Sequence, residues 1–155
     1  MITIDYKRSF IGGLSTLFVG VFAIQIVFVT MLLLPSWFFF IYLKVEPLPP
    51  TESGQPLTFN SYLDRYWSLD MTYNDTLFCR VDALQSYQVY STQTTHIASA
   101  PPKRLSDGPS KWVYTSRVPF NTSTCYIHSA VYATLPFNIR KLQVVQSPIF
   151  SLKMR

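Results

Sequence analysis

The feature that most constrains this chain is an uncharged stretch at residues 10–43, which contains 34 residues without Asp, Glu, Lys, Arg or His. A bilayer core about 30 Å thick is crossed by ~20 helical residues, so this stretch is long enough for one crossing. Two crossings would need about 17 residues each, which leaves none for a turn between them. The sequence therefore predicts one transmembrane helix over residues 10–43, preceded by a short cytoplasmic tail of residues 1–9.

The charges that flank this stretch predict its orientation. Lys7 and Arg8 precede it, whereas Lys44, Glu46 and Glu52 follow it, and the excess of positive charge marks the cytoplasmic side. The apolar stretch is longer than the core of a cleaved signal peptide and does not end in a small-x-small cleavage site. We therefore expect an uncleaved signal-anchor, with the carboxy-terminal domain in the periplasm or outside the cell.

The end of the stretch is aromatic and contains a proline. Pro35 should bend or end the helix, because its nitrogen carries no hydrogen for the helical hydrogen bond. Trp37 and Tyr42 are expected at the membrane–water interface, where aromatic side chains with a polar group are enriched. Near the start of the stretch, small residues at a spacing of four could support weak self-association of helices. These residues are Gly12, Thr16 and Gly20.

Beyond the helix, the pattern changes from apolar to proline-rich and then to strand-like. Residues 44–56 contain four prolines and are expected to form an extended spacer. Residues 57–155 show short alternating segments rich in Tyr, Val and Thr, which predict an all-β domain that folds alone. The segments lie at 57–66, 75–84, 87–95, 111–118, 123–134, 140–145 and 149–153, the last two forming either one broken strand or two short ones.

Both cysteines of the chain, Cys79 and Cys125, lie in these strand-like segments. An even number of cysteines on the exported side predicts one disulfide bond. Two buried free thiols in a cytosolic domain are the alternative. A metal site formed with His96 and His128 is disfavoured, because these four residues lack the close pair spacings of zinc ligands.

The placement of the cysteines resembles that in immunoglobulin-like sandwiches, where a disulfide joins an early strand to a late strand across the core. Position 90 lacks the core tryptophan of that family, and Ser123 replaces its corner tyrosine. The expected fold is therefore an antiparallel immunoglobulin-like or fibronectin-like sandwich of six or seven strands. The whole layout, with a basic amino terminus, one helix and a disulfide-bonded sandwich, resembles small single-pass membrane proteins of bacteriophages and bacteria.

The sequence contains no pattern that indicates catalysis. It lacks a glycine-rich phosphate loop, a Gly-x-Ser-x-Gly elbow and a His-Glu-x-x-His motif. Five aspartates of the domain are expected in turns and at strand edges, exposed to solvent. The chain is therefore predicted to be neither an enzyme nor a cofactor- or metal-binding protein. These aspartates are Asp64, Asp70, Asp75, Asp82 and Asp107.

Two surfaces are candidates for contact with a partner. Alternation in 123–134 places Tyr126, His128 and Tyr132 on the face opposite Cys125, where they could bind a partner or form an ordinary outer face. Lys103 and Arg104 lie in the turn-rich loop 100–109, and Arg140 and Lys141 open a later strand. These basic residues could contact anionic headgroups or an acidic partner, or the loop could merely connect two sheets. Residues 45–155 hold 10 Lys and Arg against 7 Asp and Glu, a net charge of +3.

These features favour a membrane-tethered binding module that contacts lipid and a protein or envelope partner. The alternatives are a structural accessory subunit of a larger membrane assembly, or a phage envelope or lysis factor. Nucleic acid is not an expected partner, because aromatic–basic motifs are absent and the domain is predicted on the exported side. Asn74 and Asn121 begin N-glycosylation sequons, which would be used only in a eukaryotic secretory pathway.

Overall fold

A computed structural model of the chain describes residues 6–48, 56–80, 84–117 and 124–151, with only the backbone described for 6–14 and 115–117. The chain forms two compact units, which meet in sequence between Leu34 and Pro35. The first holds one helix and the second is a β domain. The elements are α1 (Tyr6–Leu33), β1 (Phe40–Pro47), β2 (Pro56–Arg65), β3 (Leu69–Arg80), β4 (Gln88–Ala100), β5 (Ser110–Arg117), β6 (Thr124–Leu135), β7 (Ile139–Gln146) and β8 (Phe150–Ser151).

From Ser15 onward, helix α1 exposes its apolar side chains rather than burying them. Within it, Ser15–Leu33 is the one helical segment of the described chain that is long and apolar enough to cross a membrane, with a mean hydropathy of 2.4. Its exposed large apolar side chains range from 38% (Phe28) to 78% (Leu33) accessible. Gly12, Thr16 and Gly20 lie along α1, and their role in self-association stays a prediction, as does the orientation inferred from Lys7 and Arg8.

The predicted end of the helix at residue 43 is wrong, since α1 ends at Leu33. Pro35 follows within two residues and cannot continue the helical hydrogen bonding. A 3-10 turn, Ser36–Phe38, then leads into β1, whose Phe40 and Val45 are fully buried. The sequence pattern did not distinguish a longer helix from a buried strand after Pro35, because a continuous apolar run fits both.

The same correction applies to the predicted interfacial tyrosine and to the spacer. Tyr42 is 5% exposed and belongs to the core of the β domain. Residues 44–47 continue β1, and the amide of Leu48 donates to the carbonyl of Thr58 at 2.8 Å. The β domain therefore begins at Pro35 rather than at residue 57. Residues 49–55 of the predicted spacer, Asp82, Val118 and Asn121 lie outside the described residues.

The eight strands within the described residues form two antiparallel sheets, in agreement with the predicted sandwich but with more strands than the six or seven expected. One sheet has the order β1-β2-β5, and the other has the order β4-β3-β6-β7 with β8 also paired to β6. Strands β7 and β8 pair with different parts of β6, so they form one edge that is interrupted at Ser147 and Pro148. Each predicted segment contains a strand of the structure, but β3 begins at Leu69 rather than at residue 75, Leu84 lies in a turn, and β1 was assigned to the membrane.

Alternation along the central strands builds the core between the sheets. In β3 and β6 every second residue is buried, and the other residues are half-exposed. The predicted inward face of β6 is confirmed, because Ile127, Val131 and Ala133 are all fully buried. On the opposite sheet, Leu57 and Phe59 of β2 are 0% and 2% exposed and face the same core.

The predicted disulfide bond between Cys79 and Cys125 is confirmed. The two cysteines are direct partners in the register of β3 and β6, and their Cα atoms are 4.2 Å apart. The bond therefore lies within one sheet. The resemblance to immunoglobulin-like domains implied a bond across the core between two sheets, and that expectation is wrong. Strand alternation indicates which face a cysteine occupies but not which strand lies beside it.

Candidate functional site

The outer face of the five-stranded sheet collects the residues that alternate away from the core. Thr72, Asn74 and Thr76 of β3 lie directly opposite Tyr132, Ala130 and His128 of β6. Tyr126 lies opposite Phe78 further along the same pair of strands. Tyr126, His128 and Tyr132 therefore share one outer face, as their spacing predicted. Their part in binding a partner stays a prediction.

A shallow groove of about 400 Å³, lined mostly by side chains with polar groups, occupies one part of this face. Its walls come from β3, β4, β6, the β6–β7 turn and the start of β7. They combine hydroxyl, amide, imidazole, guanidinium and carboxylate groups with one tyrosine ring, so the groove offers both donors and acceptors. The lining residues are Asp70, Thr72, Asn74, Thr94, His96, Tyr132, Thr134, Asn138 and Arg140.

Hydrogen bonds between neighbouring strands fix several of these side chains. The Thr72 hydroxyl lies 3.1 Å from Nδ1 of His96, which orients the imidazole across the sheet. The Thr94 hydroxyl donates to Oδ1 of Asn74 at 3.3 Å. Oδ1 of Asp70 accepts the backbone amide of Ser99 at 2.7 Å. These side chains are held in place before any ligand binds, which reduces the entropy that binding must overcome.

The positive charge of the groove comes from Arg140, which is exposed. Among the residues that the structure describes, no salt bridge involves this guanidinium. Its fork of donors suits carboxylate, phosphate or hydroxyl groups. The sequence marked Arg140 only as a basic residue at the start of a strand, and it did not identify the groove. The groove requires β4, β3 and β6 to be neighbours, and alternation within one strand cannot show that order.

An aromatic cluster occupies the other part of the outer face. The rings of Phe78 and Tyr126 stack with centroids 5.0 Å apart, and His128 meets the edge of Phe78 at 6.2 Å. Tyr87 packs against Tyr126 at 4.9 Å, and the guanidinium of Arg80 lies 4.8 Å from the centre of the Tyr87 ring. The structure therefore separates the three predicted residues: Tyr126 and His128 join this cluster, whereas Tyr132 lines the groove.

The loop 100–109 connects β4 of one sheet to β5 of the other. Lys103 is half-buried, forms a backbone bridge with Arg65, and donates from Nζ to the Ser110 hydroxyl at 2.8 Å. Arg104 is exposed, and its guanidinium carbon lies 5.2 Å from the centre of the Tyr66 ring. The two adjacent charges therefore differ: Lys103 helps to hold the loop, while Arg104 presents its charge to solvent.

The side chain of Arg65 holds this loop against the β domain. It is only 5% exposed, and its Nε donates to the carbonyl oxygen of Pro101 at 2.8 Å. A buried guanidinium requires such acceptors, because burial of an uncompensated charge is costly. The loop 100–109 is therefore bonded to the folded β domain through Arg65.

A second group that sequence analysis placed wrongly is Asp75, which was expected to be exposed and is only 3% exposed. Its carboxylate accepts a hydrogen bond from the Ser129 hydroxyl, which lies 3.0 Å from the hydroxyl of Tyr42. The Tyr114 hydroxyl donates to the Asp75 carbonyl oxygen at 3.1 Å. This network joins the two sheets. Burial raises the pKa of Asp75, and the hydrogen bond from Ser129 partly opposes that rise.

The same burial raises the pKa values of the neighbouring Tyr42 and Tyr73. Within the described ranges, no group of three or more His, Cys, Asp or Glu side chains is arranged to hold a metal ion. The chain matches no protein-family model, and no curated protein or solved structure is significantly similar to it.

Proposed function

We propose that the protein is a membrane-tethered binding module, with α1 spanning the bilayer and the β domain on the exported side. The exposed apolar surface of α1 supports the span. No side chain described in Ser15–Leu33 is buried, and such an apolar surface is stable in lipid but costly in water. A signal peptide would share this apolar character but is removed after export.

The disulfide bond supports a position of the β domain on the exported side of the membrane. Disulfide bonds persist in oxidising compartments and are reduced in the bacterial or eukaryotic cytosol. The Cys79–Cys125 bond lies in the central pair of strands, with its two cysteines 5% and 0% exposed, so it belongs to the folded core. Lys7 and Arg8 at the other end of α1 favour a cytoplasmic amino terminus.

The outer-face groove is the proposed contact for an envelope partner, and it is the observation that carries the binding function. Its side chains come from distant parts of the sequence, and they are oriented by the Thr72–His96 and Thr94–Asn74 contacts. Most of its lining side chains carry polar groups, so the partner is held by hydrogen bonds and by the charge of Arg140. Tyr132 adds one ring against which an apolar face can pack.

Photo-crosslinking in the native membrane tests this function, because it captures a partner whose identity is not yet established. A benzophenone amino acid replaces Thr94 in the groove or, as a control, Asn60 on the outer face of the other sheet. We expect a discrete adduct from position 94 and none from position 60. Equal or absent adducts at both positions would reject the groove as the binding surface. A multispanning protein captured at position 94 would instead favour the accessory-subunit alternative.

A further inference from the structure

One end of the β domain gathers four connections, one between α1 and β1 and three between strands. The Ser36–Phe38 turn precedes β1, the β2–β3 connection spans 66–68, the β4–β5 loop spans 101–109, and the β6–β7 turn is Pro136–Asn138. The antiparallel register brings them together, because Phe40 is opposite Arg65 in one sheet, and in the other Leu69 is opposite Ala100. We call this surface the loop end.

Each of the four connections exposes a large apolar side chain. Trp37 is 61% exposed, Trp67 is 55% exposed and Phe137 is 53% exposed, while Leu105 on the β4–β5 loop is 41% exposed. Isolated exposed apolar residues are ordinary, but a cluster that includes two tryptophans at one end indicates a contact surface. Tryptophan is enriched at membrane interfaces, where its ring lies among headgroups and its N–H is hydrated.

Basic side chains accompany these apolar residues. Arg104 is exposed beside the Tyr66 ring, and Arg140 is exposed just after the β6–β7 turn. Two acidic side chains of this end, Asp107 and Asp70, accept hydrogen bonds from the backbone amides of Arg104 and Ser99. Aromatic and basic side chains together match the interface of a membrane that contains anionic lipid.

The loop end includes Ser36, which is close in sequence to the end of α1. Ser36 belongs to the β domain, where its hydroxyl accepts a hydrogen bond from Nε2 of Gln143 at 3.2 Å. Only Leu34 and Pro35 separate Ser36 from Leu33, the last residue of α1, and three residue steps reach at most about 11 Å. The proline-rich segment lies between β1 and β2 in sequence, so it does not separate the domain from α1.

We propose that the loop end docks on the lipid headgroups of the membrane that α1 spans. Trp37, Trp67 and Phe137 enter the interface, and Arg104 and Arg140 contact lipid phosphates. This inference rests on the proposed function, because it requires α1 to be inserted. It also gives the groove a position, since Asn138 and Arg140 belong to both surfaces: a ligand in the groove lies directly beside the headgroup layer.

Quenching of tryptophan fluorescence by brominated lipids tests the docking. The full-length protein is placed in nanodiscs that contain phosphatidylglycerol and a phosphatidylcholine brominated near the headgroup. Trp37 is close to α1 in sequence, so it would be quenched by anchoring alone, and Trp37→Phe is therefore the starting variant. In this variant we expect clear quenching, and Trp67→Phe should remove it, leaving only unquenched emission from Trp112. Equal quenching before and after Trp67→Phe would overturn the proposal.

The electrostatic part has its own matched pair of variants, both made in the Trp37→Phe protein. Arg104→Gln and Gln146→Glu each lower the net charge by one, but Gln146 is at the far end of β7 from the loop end. Arg104→Gln should reduce the ratio of docked to undocked domain about fivefold in anionic discs, an effect that salt weakens. Gln146→Glu should leave quenching unchanged, and equal effects of both variants would reject a specific role for Arg104.

Failure of this proposal can be distinguished from failure of the proposed function. If α1 does not span the bilayer, the protein is released from membranes by alkaline carbonate and does not enter nanodiscs. If it resists carbonate and enters discs, but the emission of Trp67 is not quenched, only the docking of the loop end is wrong.

Discussion

Removal of β1 is expected to unfold the β domain. The perturbation is a comparison of two soluble fragments, residues 35–155 and residues 57–155, which differ by the 3-10 turn, β1 and the segment that follows it. The sequence pattern predicted that 57–155 would fold alone. In the structure, β1 is an edge strand of the three-stranded sheet and pairs with β2. The shorter fragment therefore lacks part of the core.

The expected loss follows from the side chains that β1 buries. Phe40 and Val45 are fully buried and Tyr42 is 5% exposed. Burial of one such side chain contributes roughly 1.5–3 kcal/mol, so the three together contribute about 5–9 kcal/mol. The fragment also loses the hydrogen bond between the Tyr42 and Ser129 hydroxyls. Domains of this size have a total free energy of unfolding of about 5–15 kcal/mol, so the loss removes most or all of it.

Urea denaturation followed by circular dichroism and tryptophan fluorescence measures this difference. Residues 35–155 should show one cooperative transition, and 57–155 should show none. A synthetic peptide of residues 36–48 should restore the transition when added to 57–155, whereas the same peptide with Phe40→Ser should not. A cooperative transition of 57–155 at the same urea concentration as 35–155 would refute the assignment of β1 to the core.

Two further predictions concern the interior of the domain. Replacing Cys79 and Cys125 by Ala should lower the free energy of unfolding by about 4 kcal/mol, the chain-entropy value for closing a loop across the observed separation of 46 residues, and an unchanged urea midpoint would contradict it. Because burial raises the pKa of Asp75, this carboxyl favours the folded state below its unfolded pKa, and that contribution is lost as pH rises through its folded pKa. Asp75→Asn, which can still accept the hydrogen bond from Ser129, should therefore raise the melting temperature at neutral pH and change it little in acid. A drop of equal size at every pH, measured by thermal denaturation, would show that the charge is tolerated and that the network needs the carboxylate.

Two neighbouring basic residues of the β4–β5 loop have different environments in the fold. Lys103 and Arg104 are adjacent and have the same charge, yet Lys103 is bonded to Ser110 and Arg104 is exposed beside Tyr66. A double charge reversal at both positions would combine a structural and a surface effect. Arg104 alone is therefore the informative position for binding experiments.

Local pattern in the sequence determined several features of this protein. The apolar stretch specified a helix with apolar side chains all round, because no charged residue interrupts it. The alternation in residues 123–134 specified which side chains of β6 enter the core, since successive side chains of a strand point to opposite faces. The even number of cysteines, both in strand-like segments, was sufficient to pair Cys79 with Cys125.

Tertiary structure decided the features that depend on which strands become neighbours. The aromatic run after Pro35 could be read as membrane or as strand, and only pairing with β2 places Phe40 and Tyr42 in the core. Gln143 has no sequence signature, yet its side chain accepts the Tyr42 amide at 2.7 Å and donates to the Phe40 carbonyl at 2.8 Å, joining the edges of the two sheets. The groove likewise exists only because β4, β3 and β6 lie side by side. Alternation within a strand is a local property of the backbone, whereas the order of strands depends on the free energy of the whole packed domain, which no single segment encodes.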